Sequence, residues 1–160
     1  FKAVGVDGKE YSLTKTTNDA KATVVCFTCT RCPVPVAYED RFIEFAEKYK
    51  EKGVKFVAIN VNTSEDLEAM KQRAEEKGFS FPYTYDASGD SARAFGARVT
   101  PHLFLLDGSG ELAYEGAFDD NMTSPTKFYL ADAVDAVLDG KAPAVAKTRA
   151  IGCGIRPKRN

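Results

Sequence analysis

Three of the four cysteines lie within seven residues, at positions 26, 29 and 32, and the fourth is Cys153. The motif Cys29-Thr30-Arg31-Cys32 is followed directly by Pro33, within the segment FTCTRCPVPVAYEDRF at residues 27–42. A dithiol with this spacing is found as half of a metal site, as a pair of core residues or as a reactive pair. Four cysteines in 160 residues are too few for a disulfide-stapled scaffold, so their clustering indicates chemistry.

The interpretation as a reactive dithiol depends on where Cys29 lies. It follows the apolar segment at residues 22–27, and we expect the next helix to begin close to it. Unpaired N–H groups at a helix N-terminus, together with the charge of Arg31, favour a thiolate. We therefore predict that Cys29 is the exposed, attacking thiol with a pKa below the free value of about 8.5, and that Cys32 can close a disulfide with it. Pro33 and Pro35 leave open whether the helix begins near Cys32 or already at Cys29, where Pro35 would kink it.

Metal binding is the main alternative. A closed zinc site needs four ligands, and His102 is the single histidine of the chain. An iron–sulfur cluster would use Cys26, Cys29 and Cys32 with Cys153, but Cys26 falls inside an apolar strand, where a buried core thiol is expected. Copper binding by Cys29, Cys32 and His102 is the remaining variant. We expect neither a metal nor another cofactor.

Thr100 and Pro101 stand directly before a third apolar segment. Proline at the start of a central strand forfeits a ladder hydrogen bond, and a cis Thr100–Pro101 peptide bond would explain its presence. Such a turn beside the dithiol would leave the backbone of Thr100 free to pair with an incoming peptide strand. His102 is expected to be a structural neighbour of this site.

The charge of the chain is unevenly distributed. Residues 141–160 carry six basic side chains and no acidic one, which leaves −7 on residues 1–140 of a chain whose net charge is −1. The overall balance gives no indication of a nucleic-acid or membrane partner, and no apolar run approaches the roughly 18 residues of a membrane span. We expect a domain at residues 1–140 and a basic C-terminal tail at residues 141–160 that carries Cys153 and packs on the domain. The chain begins without methionine, which favours an exported protein.

The order of elements predicts an α/β fold. Buried strands are expected at residues 22–27, 54–61 and 103–106, a turn at 6–9 before an edge strand at 10–13, and a hairpin through 107–110 into 111–116. Helices are expected after the dithiol up to Gly53, after a capping box at residues 63–66, at 91–95 and at 126–138. Two βα crossovers and a closing hairpin give a mixed central sheet flanked by helices.

The strand, Cys-x-x-Cys, helix and later Thr-Pro together resemble the thioredoxin-like superfamily. The segments FTCTRCPVPVAYEDRF, FPYTYDASGDSARAFGARVTPHLFLLD, GAFDDN and IGCGIRPK are similar to the redoxin branch, with its AhpC/TSA and TlpA/ResA-like members, and to a peroxiredoxin-like subgroup. The resemblance implies a thioredoxin-like fold with an N-terminal strand extension and an inserted βα unit at residues 60–86. It also implies Cys29 as nucleophile, Cys32 as resolving thiol, Pro101 as cis-proline, Thr30, Arg31 and Thr100 as supporting residues, and Cys153 as a possible second resolving thiol.

The expected function is thiol–disulfide exchange with a disulfide or dithiol protein substrate and an external thiol reductant. With a lowered thiol pKa, we expect the Cys29–Cys32 redox couple to be more oxidising than that of thioredoxin, whose potential is about −270 mV. The alternatives are a thiol peroxidase that passes through a sulfenic acid on Cys29, and the copper module described above. Cys153 is either a second exchanging thiol, paired with Cys26 or Cys32 if the tail folds back, or an inert cysteine in a docked tail.

Overall fold

Three apolar segments form the middle of a seven-stranded sheet. The structure is a computed structural model that describes residues 2–156, the side chain of Lys15 excepted. The strands of the sheet, in chain order, are β1 (Lys2–Gly5), β2 (Glu10–Ser12), β3 (Ala22–Phe27), β4 (Val54–Asn60), β5 (Tyr83–Tyr85), β7 (His102–Asp107) and β8 (Leu112–Gly116), and their spatial order is β2-β1-β5-β4-β3-β7-β8. The predicted class, a mixed α/β fold, is therefore confirmed.

Strand β3 lies between a parallel and an antiparallel neighbour. It pairs with β4 in parallel and with β7 antiparallel, where Phe27 at its end faces His102 at the start of β7. Continuous burial of all six residues of β3 fits its central position, since such strands are apolar on both faces. The antiparallel register brings the residues that follow β3 close to those that precede β7, and this juxtaposition positions the site.

Residues 2–156 also form five helices: α1 (Leu13–Thr17), α2 (Pro33–Lys50), α3 (Leu67–Lys77), α4 (Asp90–Phe95) and α5 (Tyr129–Leu138). Residues of α2, α3 and α5 pack into the core on one face of the sheet, with Phe42, Met70 and Leu130 among them. The opposite face buries a smaller cluster that includes Ala92 of α4. Burying apolar stripes on both faces is the usual arrangement for an α/β sheet.

Two helix starts differ from the prediction. Helix α3 is capped by Asp66, whose Oδ1 accepts a hydrogen bond from the Ala69 N–H at 2.7 Å, so the predicted box beginning at residue 63 is not the cap. Helix α5 begins three residues later than predicted, at Tyr129. Helix α3 ends at Gly78, which takes a left-handed conformation with φ 67°.

The C-terminal segment runs along the domain. The two short strands β6 (Val99–Thr100) and β9 (Cys153–Gly154) form a separate antiparallel pair, and the Thr148 N–H donates to the carbonyl of Glu115 in β8 at 3.1 Å. The predicted division at residue 140 stays a prediction. Among residues 2–156 no helix has the length and apolar character to cross a membrane.

Candidate active site

Cys29 lies in the loop between β3 and α2 and not at the start of the helix. Helix α2 begins at Pro33, and Cys32 is its N-cap residue. Pro35 is then the third helical residue, where a backbone N–H has no partner within the helix, and the first helical hydrogen bond runs from Val36 N–H to the Cys32 carbonyl at 3.2 Å. The open question of the two prolines is resolved, because both fall in the first turn.

The thiols of Cys29, Cys32 and Cys153 form a chain of contacts. All three are free thiols, as is Cys26. Burial raises the pKa of all three thiols; against this, Cys32 acts to lower the pKa of Cys29, and Cys153 acts to lower that of Cys32. The sulfur of Cys29 lies 3.5 Å from Oγ1 of Thr100, and either atom can donate to the other. Cys32 and the Thr100 hydroxyl therefore both act to stabilise the thiolate of Cys29, against the effect of burial.

Burial has the larger effect on the acidity of these thiols. It raises the pKa of Cys29 above its usual value, and the hydrogen bonds from Cys32 and Thr100 oppose this only partly. Cys29 is 2% exposed, whereas Cys32 is half-buried. The predictions of a lowered pKa and of an exposed Cys29 are both wrong for this conformation. The expectation that the Cys29–Cys32 couple is more oxidising than that of thioredoxin, which is about −270 mV, therefore loses its basis.

A buried carboxylate supports the loop between the two cysteines. Glu65, which is 4% exposed, accepts a hydrogen bond from the Thr30 N–H at 2.5 Å and another from the Thr30 hydroxyl. Its negative charge contributes to the raised pKa of both Cys29 and Cys32, after burial in each case. Arg31, expected beside the thiolate, instead donates from Nη1 to the carbonyl of Ser64 at 3.1 Å.

The Thr100–Pro101 peptide bond is cis, as predicted. The backbone of Thr100 is not free, however, because it pairs with Cys153 in the β6–β9 ladder. The prediction of an open edge at Thr100 is therefore wrong for this conformation, since the chain's own tail occupies it. A groove of about 450 Å³ adjoins Pro101 and is lined by Val34, Tyr38 and Phe118 among others.

The ligands proposed for a metal are not brought together. Cys26 is fully buried within β3, as predicted for a core thiol. The His102 ring stacks on Phe104, with 4.4 Å between centroids, and its Nδ1 accepts from the Arg98 N–H at 3.3 Å. Within the described part of the chain, no group of three or more histidine, cysteine or acidic side chains is placed to hold a metal ion. Cys29, Cys32 and His102 therefore do not form a ligand set.

The sheet order, the dithiol before α2 and the cis-proline before β7 define a thioredoxin-like protein with a Cys-x-x-Cys pair. The sequence profile of the Redoxin family matches residues 1–132. The chain belongs to the Redoxin family.

Similar proteins of known structure cover the chain more fully than curated relatives do. A hypothetical protein from Sinorhizobium meliloti 1021 is 36% identical with a TM-score of 0.92, covering 100% of this chain and 92% of that one. A thiol:disulfide interchange protein of the thioredoxin family from Chlorobium tepidum TLS has 25% identity and a TM-score of 0.66, covering 88% and 91%. The thiol-disulfide oxidoreductase ResA of Bacillus thuringiensis subsp. konkukian is 30% identical over 87 residues, which are 54% of this chain and 47% of that protein. The chain thus spans about half the length of the curated relatives it matches.

Proposed function

We propose that this chain is a thiol–disulfide oxidoreductase whose attacking group is the thiolate of Cys29. The observation that carries the proposal is the position of Cys29 three residues before Cys32, directly ahead of α2, with its sulfur 3.5 Å from the Thr100 hydroxyl beside the cis Pro101. Burial raises the pKa of Cys29, but Cys32 and the Thr100 hydroxyl act to lower it, whereas Cys29 acts to raise the pKa of Cys32. The same thiols are adjacent, so one can attack and the other can resolve.

The exchange proceeds in two displacements. Cys29 thiolate attacks one sulfur of a substrate disulfide, forms a mixed disulfide and releases the other substrate sulfur as a thiolate. Cys32, after giving up its proton, then attacks the sulfur of Cys29, which forms the Cys29–Cys32 disulfide and releases the second substrate thiolate. An external dithiol reductant returns the pair to thiols, and with an oxidised pair the same steps run in reverse.

A disulfide-bonded protein is the substrate that this site fits best. The edge of β6 at Thr100 accepts a short antiparallel strand, since β9 pairs with it in this conformation. The groove beside Pro101 would receive side chains of a strand bound there. Thr30 supports the dithiol loop through Glu65, and Arg31 does so through Ser64.

The rate of exchange is expected to rise with pH between about 7 and 9 and beyond. The attacking form is the thiolate, and burial raises the pKa of Cys29, so the thiol predominates at neutral pH. Below that raised pKa, each pH unit should change the rate by about tenfold. Initial rates with a disulfide-bonded peptide, measured across this range, test the expectation. A profile already flat at pH 7 would contradict it.

Replacing Glu65 with glutamine is expected to move this pH profile toward lower pH. The substitution removes a negative charge that disfavours both thiolates, and it keeps a side-chain oxygen that can accept from Thr30. Glu68→Gln is the matched control, because Glu68 is an exposed acid in the first turn of α3. If the midpoint of the pH profile of Glu65→Gln equals or exceeds that of wild type, the charge of Glu65 does not act on the dithiol.

A thiol peroxidase is the second candidate, favoured by the burial of Cys29. A small hydroperoxide reaches a thiol that is 2% exposed more easily than a folded protein does. Cys29 thiolate would take the terminal oxygen to give a sulfenic acid and an alcohol or water, and Cys32 would then displace water to form the disulfide. One equivalent of hydrogen peroxide added to reduced protein distinguishes the two functions. Rapid consumption with a trapped sulfenic acid on Cys29 would favour the peroxidase.

We also propose that the chain acts outside the cytoplasm. Disulfides persist in oxidising compartments and are rare in the cytosol, so an enzyme that exchanges them with protein substrates finds those substrates outside it. Fractionation of cells that produce the full-length gene product tests this. Recovery with a cytoplasmic marker protein would contradict the proposal.

A further inference from the structure

The tail segment, residues 146–156, is held on the domain at both of its ends. Near its start, the Thr148 hydroxyl accepts a hydrogen bond from the Ala117 N–H at 2.9 Å. Near its end, the Arg156 N–H donates to Oδ1 of Asn62 at 2.8 Å, and the Thr63 N–H donates to the Arg156 carbonyl at 3.1 Å. Because hydrogen bonds fix both ends, the residues between them have a defined course across the active site.

The middle of the tail segment occupies the edge at which a substrate strand would pair. Cys153 lies opposite Thr100, Gly154 lies opposite Val99, and the Ile155 N–H donates to the Arg98 carbonyl at 3.1 Å. The backbone at Gly152 approaches so closely that a methyl group there would lie 1.9 Å from the carbonyl oxygen of Thr100. Glycine at position 152 is therefore a condition for this docking.

The docked strand carries a thiol into the dithiol site. Cys153 pairs with Thr100, whose hydroxyl lies 3.5 Å from the sulfur of Cys29, and β9 contacts α2, the helix that begins directly after Cys32. Burial raises the pKa of Cys32, and Cys29 and Cys153 both act on it in addition, so Cys32 adjoins both of the other thiols. This position lets Cys32 change partners.

We propose that β9 is an internal substrate strand, and that Cys153 exchanges with the Cys29–Cys32 disulfide to give a Cys32–Cys153 disulfide. The thiolate of Cys153 attacks the sulfur of Cys32, the Cys29–Cys32 bond breaks, and Cys29 leaves with the electron pair. Cys29 then takes up the proton that Cys153 gave up, so the step is an isomerisation and needs no oxidant or reductant. It rests on the proposed function, because the Cys29–Cys32 disulfide is the partner that Cys153 attacks.

The exchange moves the disulfide toward the surface. Cys29 is buried, whereas Cys32 and Cys153 are both half-buried. An external dithiol therefore reaches a Cys32–Cys153 disulfide more easily than it reaches the sulfur of Cys29. The tail strand and a protein substrate also compete for one edge at Thr100, so the strand that carries Cys153 must leave before a substrate strand binds there.

Disulfide mapping across a series of glutathione redox buffers tests the proposal. The whole chain is equilibrated, quenched with acid and alkylated, and its disulfides are identified in the monomer by mass spectrometry. We expect both Cys29–Cys32 and Cys32–Cys153 in wild type. In Gly152→Ala the ratio of Cys32–Cys153 to Cys29–Cys32 should fall by at least about tenfold, because the methyl group pushes the strand off Thr100 and lowers the effective concentration of Cys153.

Gly154→Ala is the matched control, since a methyl group at Gly154 would meet no atom within 4 Å, and its ratio should equal that of wild type. A second variant, Cys153→Ser, should keep Cys29–Cys32 and lose the free Cys29 thiol that oxidised wild type contains. The proposal is overturned if wild type forms Cys29–Cys32 alone at every buffer ratio, or if Gly152→Ala leaves the ratio unchanged. If Cys29–Cys32 forms in none of the proteins, the proposed function fails as well.

Discussion

Cys29→Ser is expected to abolish disulfide exchange, with a fall in rate of at least about a thousandfold. A serine hydroxyl is not ionised near neutral pH, and the proposed mechanism has no other group that takes the place of the Cys29 thiolate. Cys32→Ser should behave differently. It retains the attacking thiol and lacks the resolving one, so the mixed disulfide with the substrate should accumulate on Cys29. Mass spectrometry after a single addition of a disulfide-bonded test protein measures both outcomes.

This pair of variants also decides between two assignments of the nucleophile. Burial makes Cys29 the less accessible thiol when the tail is docked and raises its pKa, whereas Cys32 and the Thr100 hydroxyl act to stabilise its thiolate. If the substrate is trapped on Cys32 in the Cys29→Ser variant, the exposure of Cys32 matters more than the stabilisation of the Cys29 thiolate, and Cys32 is the nucleophile. Cys26→Ala is the control, because Cys26 is fully buried in β3 and takes no part in the exchange.

The central strands of the fold can be predicted from the sequence because their signal is local. Strand β3 was expected at residues 22–27 and is found there, since a continuous β-branched, apolar run is typical of a strand buried on both faces. The hairpin of β7 and β8 follows from the turn at residues 107–110. Strands β1 and β9 and helix α1 were not predicted. They have two to five residues each, and their partners rather than their own pattern define them.

Helix α2 shows where a hydrophobic stripe misleads. Phe42, Phe45 and Tyr49 recur near helical spacing and are buried, but Glu39, whose charge alone would place it in solvent, is 4% exposed. Arg73 of α3 accounts for this, since its Nε donates to both carboxylate oxygens of Glu39 at 3.1 Å. The sequence of α2 alone contains no indication of that partner, which lies 34 residues further along the chain.

The proximity of Cys29, Cys32 and Thr100 follows from the order of elements, and it was predicted. The contact between Glu65 and Thr30 was not, because Glu65 reaches Thr30 from the loop before α3 and no spacing in the sequence links the two residues. For Cys153 the sequence left two alternatives open, a second exchanging thiol and an inert cysteine. The pairing of Cys153 with Thr100 places it beside the dithiol, as the first alternative requires. Glycine at position 152 permits the close backbone approach to Thr100 that this docking needs.

The second large effect concerns the loop that lines the groove beside Pro101. Asp119→Ala is expected to lower the free energy of unfolding by about 3 kcal/mol. The Asp119 carboxylate is buried and accepts from the Tyr38 hydroxyl and from Nη1 of Arg41, both at 2.7 Å. Alanine leaves the half-buried guanidinium of Arg41 and the phenol of Tyr38 without this acceptor. Removing one partner of a buried pair costs more stability than the intact pair contributes, because the other partner stays buried and unpaired. Urea unfolding should show a midpoint lower by about 1 to 2 M.

Asp120→Ala provides the comparison at the neighbouring position. Asp120 is exposed, and its hydrogen bonds stay within the loop, to Thr126 and Lys127, so its loss should cost clearly less than that of Asp119. Equal losses would show that the loop, and not the ion pair with Arg41, determines the stability. Arg41 also donates to the carbonyls of Asn121 and Met122, which hold the loop against α2. The groove beside Pro101 therefore keeps its shape through Asp119, and Asp119→Ala should weaken substrate binding as well as folding.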